Sequence, residues 1–368
     1  MVQERTRSED TAQASPGSGA RRSRLGLFLP YVLLAIVVVG WSAAWFWIRA
    51  RTADEIDGWI AREAAAGRTW TCADRSLGGY PFRIELRCSA VTLERVDGRF
   101  RLGPSTAVAQ IYQPRLVVFE SAGPFHVEQG DLTGDASWKA FQGSFHGAAE
   151  GFTRASAVID APNVTVTGAE PGPIAVSGRH LEVHARPAPG RYEAAGAVDV
   201  SLRLVQAASP QLDALTATRD PADLALDATL TQATVLRTGT VARELERWRQ
   251  AGGALDLTAL SLAKGAQRVQ AKGTLALDNA HRPAGQIDLR AAGVDALIGS
   301  IVGQRFGSER GALVGQLVGG LLGLGRRPDA EASTDTTPLK ALPPLRLVDG
   351  KLVFSGFPIP NVSVPALY

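Results

Sequence analysis

Apolar and polar positions follow two regimes along this chain. Residues 25–48, LGLFLPYVLLAIVVVGWSAAWFWI, are 24 positions without a charge, enough at about 1.5 Å per helical residue to cross a hydrocarbon core roughly 30 Å thick. From about residue 70 to about residue 290 the period is two. Val91 and Leu93, Val164 and Val166, Val198 through Leu204, Leu224 through Leu230, Leu275 and Leu277, and Ile287 and Leu289 alternate with polar neighbours. Strands with one apolar and one wet side make an antiparallel sheet, so the pattern predicts a mainly β fold with a few helices: a long, curved sheet or a two-lobed β-rich domain. Turn chemistry at Asp97-Gly98, Ala161-Pro162-Asn163, Pro189-Gly190, Asp278-Asn279 and Asp349-Gly350 predicts a sequentially connected meander.

Three stretches keep a helical period instead. Residues 54–66 place Ile56, Trp59, Ile60 and Glu63 at helical intervals and end at Gly67, predicting a short amphipathic helix after the apolar span. Residues 240–252 place Val241, Leu245 and Trp248 on one stripe, predicting a helix that interrupts the sheet and divides it into two lobes. Gly299, Gly303, Gly307, Gly311, Gly315, Gly319 and Gly323 recur every four residues beside leucines and valines. Helices packed on the sheet and helices touching a membrane or partner both fit that series. Residues 329–337 read as a polar linker.

The flanks of the apolar span set a topology. Arg21, Arg22 and Arg24 precede it and Trp41, Trp45 and Trp47 gather at its far end. The positive-inside rule then keeps residues 1–24, a disordered tail, in the cytoplasm and exports residues 49–368. The predicted location is the bacterial inner membrane, single-pass, with a periplasmic β-rich domain. A cleaved signal peptide is the alternative, since Ser42 and Ala44 have the spacing a signal peptidase needs; the apolar run continuing to Ile48 favours an uncleaved anchor.

Composition changes this picture little. Formal charge is +3, with 39 basic and 36 acidic residues interleaved, so a nucleic-acid partner is not expected. The chain has 2 cysteines, too few for a disulfide-dense miniprotein or a four-cysteine zinc site. In an exported domain, Cys72 and Cys88 read as one disulfide closing a local loop, because CxxC spacing and a neighbouring histidine are both missing.

Chemistry is sparse. His180 and His184 flank Glu182 in HLEVH, but Leu181, Val183 and Ala185 alternate with them, which predicts a strand. Positions four apart on a strand are roughly 13 Å apart, too far to share one zinc. His126, His146 and His281 lack any partner spacing, and the chain has no GxSxG, Walker loop, HExxH or GxGxxG-helix pattern. No catalytic, cofactor-binding or metal residue is expected, and the chain is not expected to be an enzyme.

The run Thr69-Trp70-Thr71-Cys72, followed by Gly79-Tyr80-Pro81-Phe82-Arg83-Ile84-Glu85-Leu86-Arg87-Cys88, resembles a signature of the domain-of-unknown-function 2125 family, bacterial membrane-anchored envelope proteins. GTLALDNAHRPAGQIDLRAAG and PLRLVDGKLVFSGFPI are similar to that family's closing strands, and the first is shared more loosely with AsmA-like envelope proteins. The resemblance implies the Cys72–Cys88 bridge and a structural turn at Gly79, Tyr80, Pro81 and Phe82 that leads into the strand beginning at Arg83. Through the AsmA-like proteins it also implies a curved sheet whose apolar concave side holds acyl chains. The leading expectation is a non-enzymatic envelope protein that binds or shields lipid-like groups on that apolar side. Its alternative is a scaffold with a closed β-core that recruits envelope partners. A hydrolase would require His126, His146 or His180 to meet a Ser and an Asp in one cleft.

Overall fold

The structure, a computed structural model, describes residues 25–148, 151–168, 172–237, 239–293, 338–354 and 356–368. The tail 1–24, the period-four glycines from Gly299 to Gly323 and the linker 329–337 lie outside the described residues.

The first element, α1 (Leu25–Ala65), is one helix of 41 residues. The short amphipathic helix expected at residues 54–66 is therefore its continuation. Nothing between Ile48 and Asp54 breaks a helix, since Arg49, Ala50, Arg51, Thr52 and Ala53 all tolerate one and Arg51 pairs with Glu55 one turn on at 2.8 Å. Pro30 sits in the second turn. Gly67, at φ 78°, stops the helix, with its N–H on the Ala64 carbonyl at 2.9 Å. The end of α1 is tied to the strand that follows: Arg68 makes paired bonds of 2.6 and 2.7 Å to Glu63, and Trp59 packs on Trp70 with ring centroids 5.4 Å apart.

The rest of the described chain is mainly β. Strands Arg68–Ala73, Ala90–Arg95, Gly98–Leu102, Phe125–Gln129, Leu132–Ser137, Asn163–Thr167 and Ile174–Ser177 form, in that order, a small sheet of seven. A large sheet of 16 begins with Ser76–Gly78, Arg83–Cys88, Ser105–Gln110, Gln113–Ser121, Ala140–Ala148 and Gly151–Asp160. It continues through His180–Pro187, Val198–Ala207, Ala222–Leu230, Ala254–Lys264, Gln267–Leu277 and Pro283–Ala292, and closes with Leu345–Val348, Lys351–Phe354 and Phe357–Ser363. The short strand Lys340–Ala341 pairs beside Pro283–Ala292.

The expected meander holds only from His180 onward. Before it the chain visits the two sheets by turns, and Ala161-Pro162-Asn163 passes from one sheet to the other instead of closing a hairpin. Ala161 lies at φ 49°, which swings the next strand out of the ladder. Asp97-Gly98, Asp278-Asn279 and Asp349-Gly350 do join strands that pair.

Helices α2 (Tyr192–Ala195), α3 (Pro210–Thr216) and α4 (Val241–Gln250) occupy connections at the strand ends. Thr240 caps α4 by accepting from the Arg243 N–H. Of its expected stripe, Trp248 is buried and donates from Nε1 to the Thr231 carbonyl at 2.7 Å and Leu245 is half-buried, whereas Val241 is 51% exposed. It does not divide the sheet, because Ala222–Leu230 and Ala254–Lys264 on either side of it pair directly along their length. A two-sided ladder of main-chain bonds outweighs one intervening connection.

Candidate functional site

Register decides which side chains share a side of the large sheet. Leu202 stands opposite Leu226, Leu226 opposite Leu260, Leu260 opposite Ala271, and Ala271 opposite Leu289. The same row extends backward through Val183, Ala157, Gly143, Phe119, Ala107 and Leu86 to Leu77. In the other direction, Gly285 and Ile287 stand opposite Leu347 and Leu345. One side of the sheet is thus apolar from its first strand to its last hairpins, a contour of roughly 65 Å at about 4.8 Å per strand.

This apolar side is only partly sealed. Ala228, Leu257 and Ala271 form a buried cluster, whereas Leu226, Leu255, Leu260, Ile287 and Leu289 around it remain half-buried, as do Leu202, Leu204, Leu224 and Leu262. In a closed sandwich core such leucines are ordinarily buried outright. Phe145, on the same side, is 49% exposed.

Two hollows lie on the polar side of the sheet. A hollow of about 470 Å³ is lined by Arg154, His184, Arg186, Asp199, Ser201 and Asp227, all from the polar side. Another of about 290 Å³ includes Gln270, Lys272, Asp288 and Arg290 from that side. The apolar side is therefore not the one that carries these hollows.

The polar side carries a ladder of titratable groups. His180 Nδ1 lies 2.7 Å from Asp160 and its Nε2 2.9 Å from Glu182, while His184 Nδ1 lies 3.0 Å from the Ser156 hydroxyl and its Nε2 3.5 Å from Glu182. The Glu182 and Asp160 carboxylates raise the His180 pKa above its ordinary value, and His180, then His184, hold Glu182 below the usual carboxylate range. On the outer side of the small sheet, His126 is likewise raised by Asp135 and Glu128. Arg203 forks onto Asp227 at 2.9 and 3.1 Å and lowers its pKa.

His126 and His180 thus meet carboxylates, and the serine contact belongs to His184, which the sequence pattern set beside His180 as a metal pair and not as a serine partner. Ser156 and His184 are 28 positions apart, and only strand register brings them together. Ser156 stands opposite His184 in the ladder, and Glu182 lies two positions before His184 on the same strand. Among the described residues no group of three His, Cys, Asp or Glu could hold a metal ion.

The two cysteines form a disulfide, with Cα atoms 5.2 Å apart. Cys72 belongs to the small sheet and Cys88 to the large one, each on its apolar side, so the bridge joins the two sheets at one corner. The motif residues lie at the other end of the strand Arg83–Cys88. Gly79 turns at φ 99°, where a Cβ would stand 2.7 Å from the Arg83 backbone; the Tyr80–Pro81 peptide is cis; and the Arg83 N–H donates to the Gly79 carbonyl at 3.1 Å.

Fold and site together define a β-rich chain with one N-terminal apolar helix long enough to span a bilayer. Residues 45–363 match the family described as uncharacterized protein conserved in bacteria (DUF2125), and the chain belongs to that family. Neither the curated proteins nor the solved structures contain a match to it.

Proposed function

We propose that this chain is a non-enzymatic protein of the bacterial envelope, held at the inner membrane by residues 25–48 with residues 49–368 in the periplasm. In this reading the apolar side of its large sheet binds or shields the acyl chains of lipid-like molecules. The observation that carries it is the half-buried row of leucines, Leu202, Leu226, Leu260 and Leu289, on a side continuous from Leu77 to the last hairpins. Apolar surface of that extent costs about 25 cal/mol per Å² left in water, and acyl chains remove the cost without needing hydrogen-bond partners. The disulfide fits an oxidising compartment, and the arginines before the span fit an exported domain.

The sealed cluster at Ala228, Leu257 and Ala271 is what the second reading, a scaffold with a closed core, requires along the whole sheet. A photoactivatable phospholipid added to membranes holding the full chain separates the two. Cross-links on the strands of Leu202, Leu226 and Leu260 are expected; cross-links confined to residues 25–48 would leave the scaffold.

A further inference from the structure

The turn at Gly79 holds its aromatic rings outward. Tyr80 is 51% exposed and Phe82 59%. The neighbouring hairpin adds to the same end of the sheet, because the Ile111 N–H donates to the Phe82 carbonyl at 3.0 Å and Tyr112 beside it is 70% exposed. Arg83, next to Phe82 in sequence, and Arg115, three positions after Tyr112, are exposed, while Glu85, the acidic residue of the adjoining strand, is buried against Arg83 and Arg87. Aromatic rings rimmed by cations suit a headgroup layer: the ring bodies leave water, the tyrosine hydroxyls stay wet, and the guanidinium groups meet phosphates.

The covalent path places this end of the sheet near a bilayer. Arg49 follows the apolar span directly, and its Nε donates to the Leu77 carbonyl at 3.0 Å. Leu77 lies in the strand Ser76–Gly78, which runs straight into the Gly79 turn. One arginine side chain and three residues therefore separate the end of the span from Tyr80.

We propose that Tyr80, Phe82 and Tyr112 dock into the headgroup region of the bilayer that holds residues 25–48. This second membrane contact orients the sheet. It also sets Leu77, the first residue of the apolar side, at the lipid surface, where an acyl chain passes from bilayer to sheet. Only that last consequence rests on the lipid-binding reading; the contact itself does not.

Nitroxide accessibility tests the proposal on the full chain in phosphatidylethanolamine–phosphatidylglycerol vesicles. Cys72 and Cys88 are joined, so Gln113→Cys or Val96→Cys each supplies a reactive thiol; Gln113 adjoins Tyr112, and Val96, 96% exposed, lies in a hairpin of the small sheet. Collisions with dissolved oxygen relative to a nickel chelate are expected to be several-fold higher at Gln113→Cys than at Val96→Cys. Adding Tyr80→Ser, Phe82→Ser and Tyr112→Ser should bring the first site to the value of the second with circular dichroism unchanged. If the triple variant unfolds, Tyr112→Ser alone serves, and it should lower the Gln113→Cys ratio. Equal ratios at the two sites in the unaltered chain, or no response to these substitutions in folded protein, overturn the proposal. A chain that carries no lipid on its sheet yet keeps Gln113→Cys among headgroups retains this contact and loses the lipid-binding reading.

Discussion

Replacing Leu257 and Leu226 separately by alanine distinguishes an open apolar side from a closed one. Both side chains lie on that side of the large sheet, but Leu257 is 8% exposed within the buried cluster and Leu226 is half-buried at its border. A fully enclosed leucine cut to alanine loses its transfer free energy and leaves a cavity, together about 3 kcal/mol. At Leu226 no enclosed cavity forms, and only the covered part of the transfer energy is lost, about 1 kcal/mol. Urea unfolding of the lipid-stripped full chain in detergent, followed by far-UV circular dichroism, reads both losses. A difference of about 2 kcal/mol between the variants is expected from these two figures. Added phospholipid should raise the midpoint of the parent by mass action and raise that of Leu226→Ala less. Equal losses in stripped protein, with no response to lipid in either variant, would refute the reasoning and mark the side as sealed.

Reducing the Cys72–Cys88 bridge, 16 positions apart, should cost about 3 kcal/mol on the chain-entropy account, read as a lower urea midpoint with reductant or in a Cys72→Ser/Cys88→Ser variant. Lys264 is 1% exposed and donates from Nζ to Asp213 at 2.6 Å and to the Asp220 carbonyl at 2.5 Å. Asp213→Ala leaves that ammonium short of its counter-charge, and because Asp213 is partly exposed the expected loss is about 2 kcal/mol, less than for a fully buried pair; a loss no larger than for exposed Asp288→Ala would count against it. Glu182 and Asp160 raise the His180 pKa, so its contribution is present below the ordinary histidine value and disappears as pH rises through the raised one. Glu182, lowered by His180 and His184, contributes above the ordinary glutamate value and loses that contribution as pH falls through its lowered one. The midpoint difference between parent and His180→Gln should therefore be larger at pH 6 than at pH 8.5, and a difference constant with pH would contradict the ladder.

The β character of the chain is legible because its cause is local: Leu224, Leu226, Ala228 and Leu230 alternate whatever their partners. Sheet membership is not legible in the same way. The turns at Asp97-Gly98 and Ala161-Pro162-Asn163 have similar chemistry, yet one closes a hairpin and the other moves the chain to a second sheet, a choice made by the positive φ of Ala161 and by pairing with strands far off in sequence. The same limit hides the sites. Cys72 and Cys88 pair predictably because two cysteines leave one choice, whereas Ser156 meets His184 only through register. Lys264 reads as an ordinary polar residue at a strand end until Asp213, 51 positions earlier, turns in from α3. Helix α1 is longer than expected because the charges after Ile48 end an apolar run without ending a helix.

From His180 onward, strands join the large sheet in the order in which they leave the ribosome. As far as Pro283–Ala292, each new strand pairs with the one just completed, so contacts there stay short in sequence and the sheet can lengthen from one growing edge. Such an edge offers unpaired main-chain groups to any other strand nearby. In the last described strand, Phe357–Ser363, Pro358 has no N–H to offer a further strand. The sequential order that builds a long apolar side thus leaves, at Phe357–Ser363, an edge that Pro358 makes poorly suited to continuing the ladder.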